Sequence, residues 1–295
     1  MIKVSYLIPL YNKENFILEC IDSILNEASD EIEIEICIVD DGSFDKSLEL
    51  VKKNYRECSN VKIGSFEFNR GKNAACNEAF KMSTGDYLCL FGADDVVIKG
   101  RTRLLLQKSS NTGKAVYGGL IAKNEKLSEE FYRALPISQD LYSITMGNGL
   151  SGGCCLIPRE LSNNIFPIPE NLKFEDWWIS YNLVKDEKVL VLDAVVTVYR
   201  IGSQNDCGYY GGDAYANIKK DYVRHFDCLN KFKEISANPF IEKSFDLRKS
   251  FLGEETTNTL YLKPFDKFSL KILLFKFLGA KSIYKLINFI QRFKN

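Results

Sequence analysis

The first 95 residues repeat one arrangement. A short apolar run ends in a polar turn, and in three of the four cases a stretch with apolar residues at helical spacing follows. The runs are Val4 to Ile8, Ile34 to Val39, Val61 to Phe66 and Tyr87 to Phe91. Runs this short, rich in β-branched and aromatic residues, predict buried strands. Between them, Ile17, Cys20, Ile21, Ile24 and Leu25, then Leu48, Val51 and Tyr55, then Ala75, Ala79 and Met82, each line one face of a helix. Strands and helices that alternate through short connections imply right-handed crossovers, so the chain is expected to build an α/β fold on a mostly parallel sheet flanked by helices.

That topology gives the turns a meaning they lack singly. Pro9-Leu10-Tyr11-Asn12, Asp40-Asp41-Gly42-Ser43, Asn69-Arg70-Gly71 and Asp94-Asp95 all follow strand C-termini and so converge on one edge of the sheet, where open α/β sheets bind ligands. Asn12 is placed to cap the first helix, and Ser43 or Asp45 the second. Taken alone, Asp94-Asp95 reads equally well as a solvated turn. At a shared edge, two adjacent carboxylates call for a compensating cation, and hard oxygen ligands suit Mg²⁺ or Mn²⁺ better than zinc. No Gly-x-Gly-x-x-Gly and no Walker-type lysine follows the first strand, which argues against a dinucleotide enzyme or a P-loop ATPase.

Beyond Asp95, Gly100 to Lys108 predicts a helix, Ala115 to Ile121 a strand, and Ser128 to Asn148 a mobile loop or short helices over the site. The glycine-rich turn Gly149 to Gly153 feeds another strand, and its glycines would let backbone approach a ligand. Glu175-Asp176-Trp177-Trp178 opens a helix reaching about Lys185, and Val189 to Tyr199 is a long strand. His225 is the only histidine, which makes a histidine-based metal site or a Ser-His-Asp triad improbable and leaves it as a surface or packing residue. The nine cysteines are an odd number scattered through apolar patterns, as in a reducing cytoplasm.

In this order the motifs Val4 to Asn12, Ile38 to Ser43, Asn69 to Ala74 with Asn77, Gly85-Asp86-Tyr87, Ala93-Asp94-Asp95 and Glu175-Asp176-Trp177 make the sequence resemble an inverting glycosyltransferase of family 2. These are GT-A (Rossmann-like) enzymes that use nucleotide-diphosphate sugars. The resemblance implies a catalytic domain over 1–205, with a nucleotide-binding half at 1–95 and an acceptor-binding half at 96–205. It implies that Pro9, Tyr11 and Asp41 hold the base, with the Asp41 carboxylate accepting from a uracil-like N–H and Asp40 as the neighbouring candidate, that Asn12 also meets the donor, that Asn69, Arg70, Gly71 and Lys72 border ribose and diphosphate, and that Asp95 with Asp94 holds Mg²⁺ or Mn²⁺. Asp176 would be the catalytic base, with Glu175 as its rival, and Gly152, Gly153, Trp177 and Trp178 would meet the acceptor. Two adjacent indoles on one helix cannot both face a site, so at least one is expected in the core. The sequence departs from the commoner Asp-x-Asp-Asp metal motif at Gly92, where the first acid would stand, and Arg200-Ile201-Gly202 replaces a histidine found in some relatives.

The implied reaction moves a sugar, as from a UDP-sugar, to a saccharide or lipid-linked saccharide in cell-surface polysaccharide or glycolipid synthesis. The alternative, raised by Gly92, is a non-catalytic GT-A-fold module that binds nucleotide sugar or glycan; a nucleotidyltransferase would show a glycine-rich, basic first loop instead. Residues 206–262 are expected to form a mostly helical connection. From 263 to 295 eight basic residues face Asp266 alone, although the whole chain balances 39 basic against 39 acidic residues. Apolar residues interleave with these lysines at helical spacing, as in a basic amphipathic tail lying on anionic lipid. The overall balance gives no pull toward nucleic acid. With no signal-peptide layout and no apolar run long enough to span a bilayer, the expected place is the cytoplasm, with peripheral contact at the inner face of the plasma membrane.

Overall fold

The computed structural model describes residues 1–202, 214–256 and 267–283. The N-terminal alternation folds as β1 (Ile2–Leu10), α1 (Ile17–Leu25), β2 (Ile32–Asp40), α2 (Ser47–Tyr55), β3 (Val61–Ser65), α3 (Lys72–Met82) and β4 (Tyr87–Leu90). These four strands lie parallel in the order β3-β2-β1-β4. The register places Leu10 beside Asp40 and Asp40 beside Ser65, which gathers three of the polar turns at one edge. The apolar faces read from spacing are the buried ones: Ile17, Cys20, Ile21 and Ile24 of α1 join Val4, Tyr6, Ile8 and Ile34 in a core without solvent exposure.

The second half is less regular than the alternation predicts. After β5 (Val96–Val97), α4 (Arg101–Thr112), β6 (Ala115–Asn124), β7 (Glu130–Ala134) and α5 (Leu141–Met146) come a 3₁₀ turn at Gly152–Cys154, β8 (Cys155–Pro158), α6 (Glu175–Lys185) and β9 (Val189–Ile201). The sheet continues β4-β8-β6-β9-β5, with β7 paired to β6. Here β8 runs antiparallel to β4 and to β6, and β5 antiparallel to β9, so the sheet is parallel in its first half and mixed in its second. Pairing of Val96 with Val198 returns the end of β9 to the Asp94-Asp95 turn. The segment 128–148, expected as a mobile loop or short helices, holds the short helix α5 and, unlike either expectation, the strand β7.

The chain divides into two compact units, one formed by 1–141 and 148–206, the other by 142–147 and 207–295. In the second, α7 (Ala214–Ile235), α8 (Ile241–Leu252) and α9 (Lys267–Leu278) pack in sequence, and Met146, Leu247 and Ile272 centre an apolar cluster with Phe268 and Phe275. His225 is a packing residue: its Nδ1 accepts a hydrogen bond from Arg248 Nε at 3.1 Å, and burial, reinforced by that guanidinium, holds the ring neutral. Much of the expected basic tail, 263–266 and 284–295, lies outside the described residues. Among the described residues no helix is long and apolar enough to cross a membrane, and none of the cysteines forms a disulfide.

Candidate active site

The turns after β1, β2 and β3 are laced together by their own polar groups. Asn12, expected as a helix cap, instead takes a left-handed conformation (φ 51°), and its Oδ1 accepts the Phe44 N–H at 3.0 Å while Ser43 Oγ accepts the Asn12 N–H at 3.0 Å. Asparagine tolerates that conformation better than most residues. Beside it, the half-exposed Tyr11 meets the exposed Phe44 ring edge-on. Pro9 lies inside β1 and pairs with Val39. Gly42 (φ +70°) is the place where glycine is required on two counts, because a Cβ there would also stand 2.7 Å from the Asn69 nitrogen.

Asp40 and Asp41 take different tasks. Both Asp41 oxygens accept backbone N–H groups of the next turn, Oδ1 from Arg70 at 2.7 Å and Oδ2 from Gly71 at 2.9 Å. Burial pushes this carboxyl up against the pull of the two amides. Asp41 therefore holds the loop that the sequence assigned to ribose and diphosphate. Asp40 Oδ2 accepts the Ser43 N–H at 3.1 Å, whereas its Oδ1 is buried and accepts nothing. Arg70 lies over the Phe66 ring, 4.5 Å from its centroid, and Asn69 is exposed.

Asp94 and Asp95 follow β4 as expected and are surrounded by cations that sequence reading did not connect to them. Lys13 Nζ pairs with Asp94 Oδ2 at 2.7 Å. Arg200 donates its backbone N–H to Asp95 Oδ1 at 3.0 Å and its Nε–H to the Asp94 carbonyl at 2.7 Å, and its guanidinium also pairs with Glu19. Burial first, and Asp94 second, push the Asp95 carboxyl far above the usual carboxylate range.

Asp95 also occupies the space left at Gly92. A Cβ on Gly92 would lie 2.7 Å from Asp95 Oδ2, so this carboxylate stands where the absent acid's side chain would begin. Among the described residues no group of three or more metal-ligating side chains forms, and none donates a hydrogen bond to Asp95 Oδ2. Two adjacent carboxylates with an uncommitted oxygen match the donor set of Mg²⁺ or Mn²⁺, which take few protein carboxylates and keep their waters.

The glycine turn connects this acid pair to the second one. A Cβ on Gly153 would stand 3.7 Å from Asp95 Oδ2, and one on Gly152 3.3 Å from the Asp176 Cβ. Residues Asp95 and Asp176, 81 apart in sequence, therefore line the two sides of one turn. The Gly153 carbonyl is fixed by Arg101 Nη2 at 3.2 Å and Thr197 Oγ1 at 2.9 Å. Arg101, near the start of the helix expected over Gly100 to Lys108, is buried between Tyr6 and Phe91.

Asp176 sits in the first turn of α6. Burial first and Glu175 second push its carboxyl up toward neutrality, against the pull of Lys72, the Trp177 N–H and the Asn148 side chain. Glu175 is ion-paired with Lys72. The expectation that Trp177 and Trp178 meet the acceptor is corrected. Both indoles are buried, 1% and 6% exposed, and Trp178 Nε1 donates to the Ile165 carbonyl at 2.8 Å, because α6 packs its whole middle into the core.

The model of the family described as Glycosyl transferase family 2 matches residues 5–166. An uncharacterized glycosyltransferase of Nostoc sp. is 28% identical over 69% of this chain and 66% of its own length. A poly(ribitol-phosphate) beta-glucosyltransferase of Bacillus spizizenii is 35% identical over 32% of this chain, which is 15% of the relative. Among solved structures, S. aureus TarS matches with a TM-score of 0.59 at 20% identity, covering 89% of this chain and 46% of TarS. TarS 1–349 in complex with UDP-GlcNAc matches with a TM-score of 0.56 over 89% of this chain and 76% of that one. These likenesses identify the fold as GT-A.

Proposed function

The chain belongs to glycosyl transferase family 2, and on that footing we propose that it is a metal-dependent inverting transferase moving a sugar from a UDP-sugar to a saccharide or lipid-linked saccharide acceptor. The observation that carries this reading is the placement of Asp95 and Asp176 on the two sides of the Gly152-Gly153 turn, where a donor diphosphate and an acceptor hydroxyl would meet. The similar TarS structures, which include complexes with UDP-GlcNAc and with UDP, support a uridine nucleotide donor.

Each residue has a physical task in the transfer. Pro9, Tyr11 and Asn12 wall the base, with Asp40 and Asp41 beneath it, and the Asp40 oxygen that lacks a partner is the acceptor a base N–H would satisfy. Arg70 offers its guanidinium to the diphosphate from a loop that Asp41 holds in place. When bound, a divalent cation held by Asp95 with Asp94 would neutralise the charge that develops on the leaving nucleoside diphosphate. Asp176 takes the proton of the acceptor hydroxyl as its oxygen bonds to the anomeric carbon. The bond to the diphosphate breaks with its electron pair on the leaving oxygen, and attack from the opposite face inverts the centre. A carboxyl shifted toward neutrality is the stronger base for this step, and half-burial of Asp176 limits competition from water.

The exposed leucines of α9, Leu270, Leu273 and Leu278, alternate with Lys271 and Lys276, which supports peripheral contact with anionic lipid and so a lipid-linked acceptor. Thermal-shift screening of UDP-sugars with Mn²⁺ tests the donor class. A donor present at 100 times its Kd adds about 2.7 kcal/mol of stability. If no UDP-sugar or UDP raises the melting temperature while another nucleotide does, the uridine assignment is wrong.

A further inference from the structure

Lys72 and Glu175 belong to opposite sides of the site, and the transfer as described leaves both without a chemical task. Lys72 opens α3 directly after the Arg70-Gly71 loop that Asp41 holds. Glu175 opens α6, with Asp176 next to it. Lys72 Nζ donates to Glu175 Oε1, joining residues 103 apart in sequence. The Glu175 side chain is 15% exposed and that of Lys72 50%, so the carboxylate is the better-fixed partner and the lysine the adaptable one.

We propose that Lys72 and Glu175 are a positioning pair that ties the donor loop to the helix bearing the base, with Lys72 acting on the transfer through Asp176 and Glu175 holding Lys72 in place. This rests on the reading of Asp176 as the base. It gives Glu175 a role other than rival base, because a carboxylate committed to an ammonium is a weaker proton acceptor.

The groups facing Asp176 set the consequences. On its own helix these are Glu175 and the Trp177 N–H; from α3 comes Lys72, from β6 the buried and neutral Tyr117 phenol, and from the loop before the glycine turn the Asn148 side chain. The buried Cys76 thiol, also from α3, faces Lys72 and Glu175 and stays protonated. Only Lys72 and Glu175 carry full charges in this set, and they act on Asp176 in opposite directions. Removing one leaves the other uncompensated.

The test follows the Asp176 carboxyl itself in the full-length protein labelled with ¹³C-aspartate. Its ¹³Cγ resonance is assigned by its loss in D176N and titrated with pH. Lys72→Met is expected to move the titration midpoint up by about one pH unit and Glu175→Gln to move it down, with K72R and the double variant K72M/E175Q near wild type. Midpoints that stay within about 0.3 unit of wild type in both single variants overturn the proposal. So do shifts of the same sign, which a structural disturbance alone would give. Should K72M fail to fold, E175Q and K72R still decide the sign and the rescue. Failure of the base reading is separate: it is D176N retaining wild-type UDP release from a UDP-sugar, whatever the midpoints do.

Discussion

Replacing Asp41 with Asn should loosen the donor loop before any donor is present. The wild-type carboxylate accepts two backbone N–H groups, from Arg70 at 2.7 Å and Gly71 at 2.9 Å. An asparagine keeps one acceptor oxygen and turns an NH₂ toward the other amide, so one charge-assisted bond is lost and one N–H faces a donor. Hydrogen bonds to a charged group contribute about 1.5–3 kcal/mol each, and burial already works against the charged form here, so the loss should be near the lower end, about 2 kcal/mol. Gly71 (φ +99°) precedes α3, so the loop and the first turn of that helix should open together. Hydrogen exchange of the donor-free protein reads this directly: the Arg70 and Gly71 amides of D41N should exchange about 30-fold faster than in wild type, with β1 unchanged. Unchanged protection at both amides would refute the reasoning, since Asp41 would then not be what holds the loop.

Three further outcomes are expected. Restoring an acid at position 92 should weaken the site, because a Cβ there meets Asp95 Oδ2 at 2.7 Å; Gly92→Asp should bind Mn²⁺ and UDP less well than wild type by titration calorimetry, the displacement costing about 1–3 kcal/mol. At the far end of the strands, burial pushes Glu35 up, but Lys62, Ser5 and Thr84 outweigh it and hold its carboxyl at about 2. A depressed folded pKa stabilises above the unfolded value of about 4.5 and loses that stability as pH falls toward 2; the contribution at neutral pH is about 3 kcal/mol, and Glu35→Gln should lower the neutral-pH Tm and flatten its decline on acidification. Leu270→Gln with Leu273→Gln, at exposed positions of α9, should reduce co-sedimentation with anionic vesicles while leaving the melting temperature within a few degrees of wild type.

What the sequence made legible is what periodicity and strand ends encode. The buried face of α1, Val51 and Tyr55 of α2, Ala75 and Ala79 of α3, the parallel direction of the first strands and the edge at which Asp40-Asp41, Asn69-Arg70-Gly71 and Asp94-Asp95 meet all follow from local pattern and crossover handedness. The antiparallel β8 was not legible, because a four-residue strand leaves no periodic signal of direction. Nor were the cations. Lys13 reaches Asp94 through the pairing of β1 with β4, and Arg200 reaches the turn only after β9 pairs with β5, a contact more than 100 residues long in sequence. Trp177 and Trp178 misled because adjacent aromatics beside acids resemble a sugar platform, while burial of α6 across its whole middle depends on neighbours that spacing cannot reveal. Gly92 read as a deficit in sequence. In three dimensions it is the room that Asp95 uses.

The central claim is tested most directly by UDP release from UDP-sugars with Mn²⁺ or Mg²⁺, comparing wild type with Asp176→Asn across an acceptor panel. Wild type should release UDP in an acceptor-dependent way, and D176N should bind donor but turn over about 10²–10⁴-fold more slowly. D176N releasing UDP at the wild-type rate would contradict the assignment of the base. Both proteins binding donor and remaining inert would contradict catalysis itself and leave a nucleotide-sugar binding module.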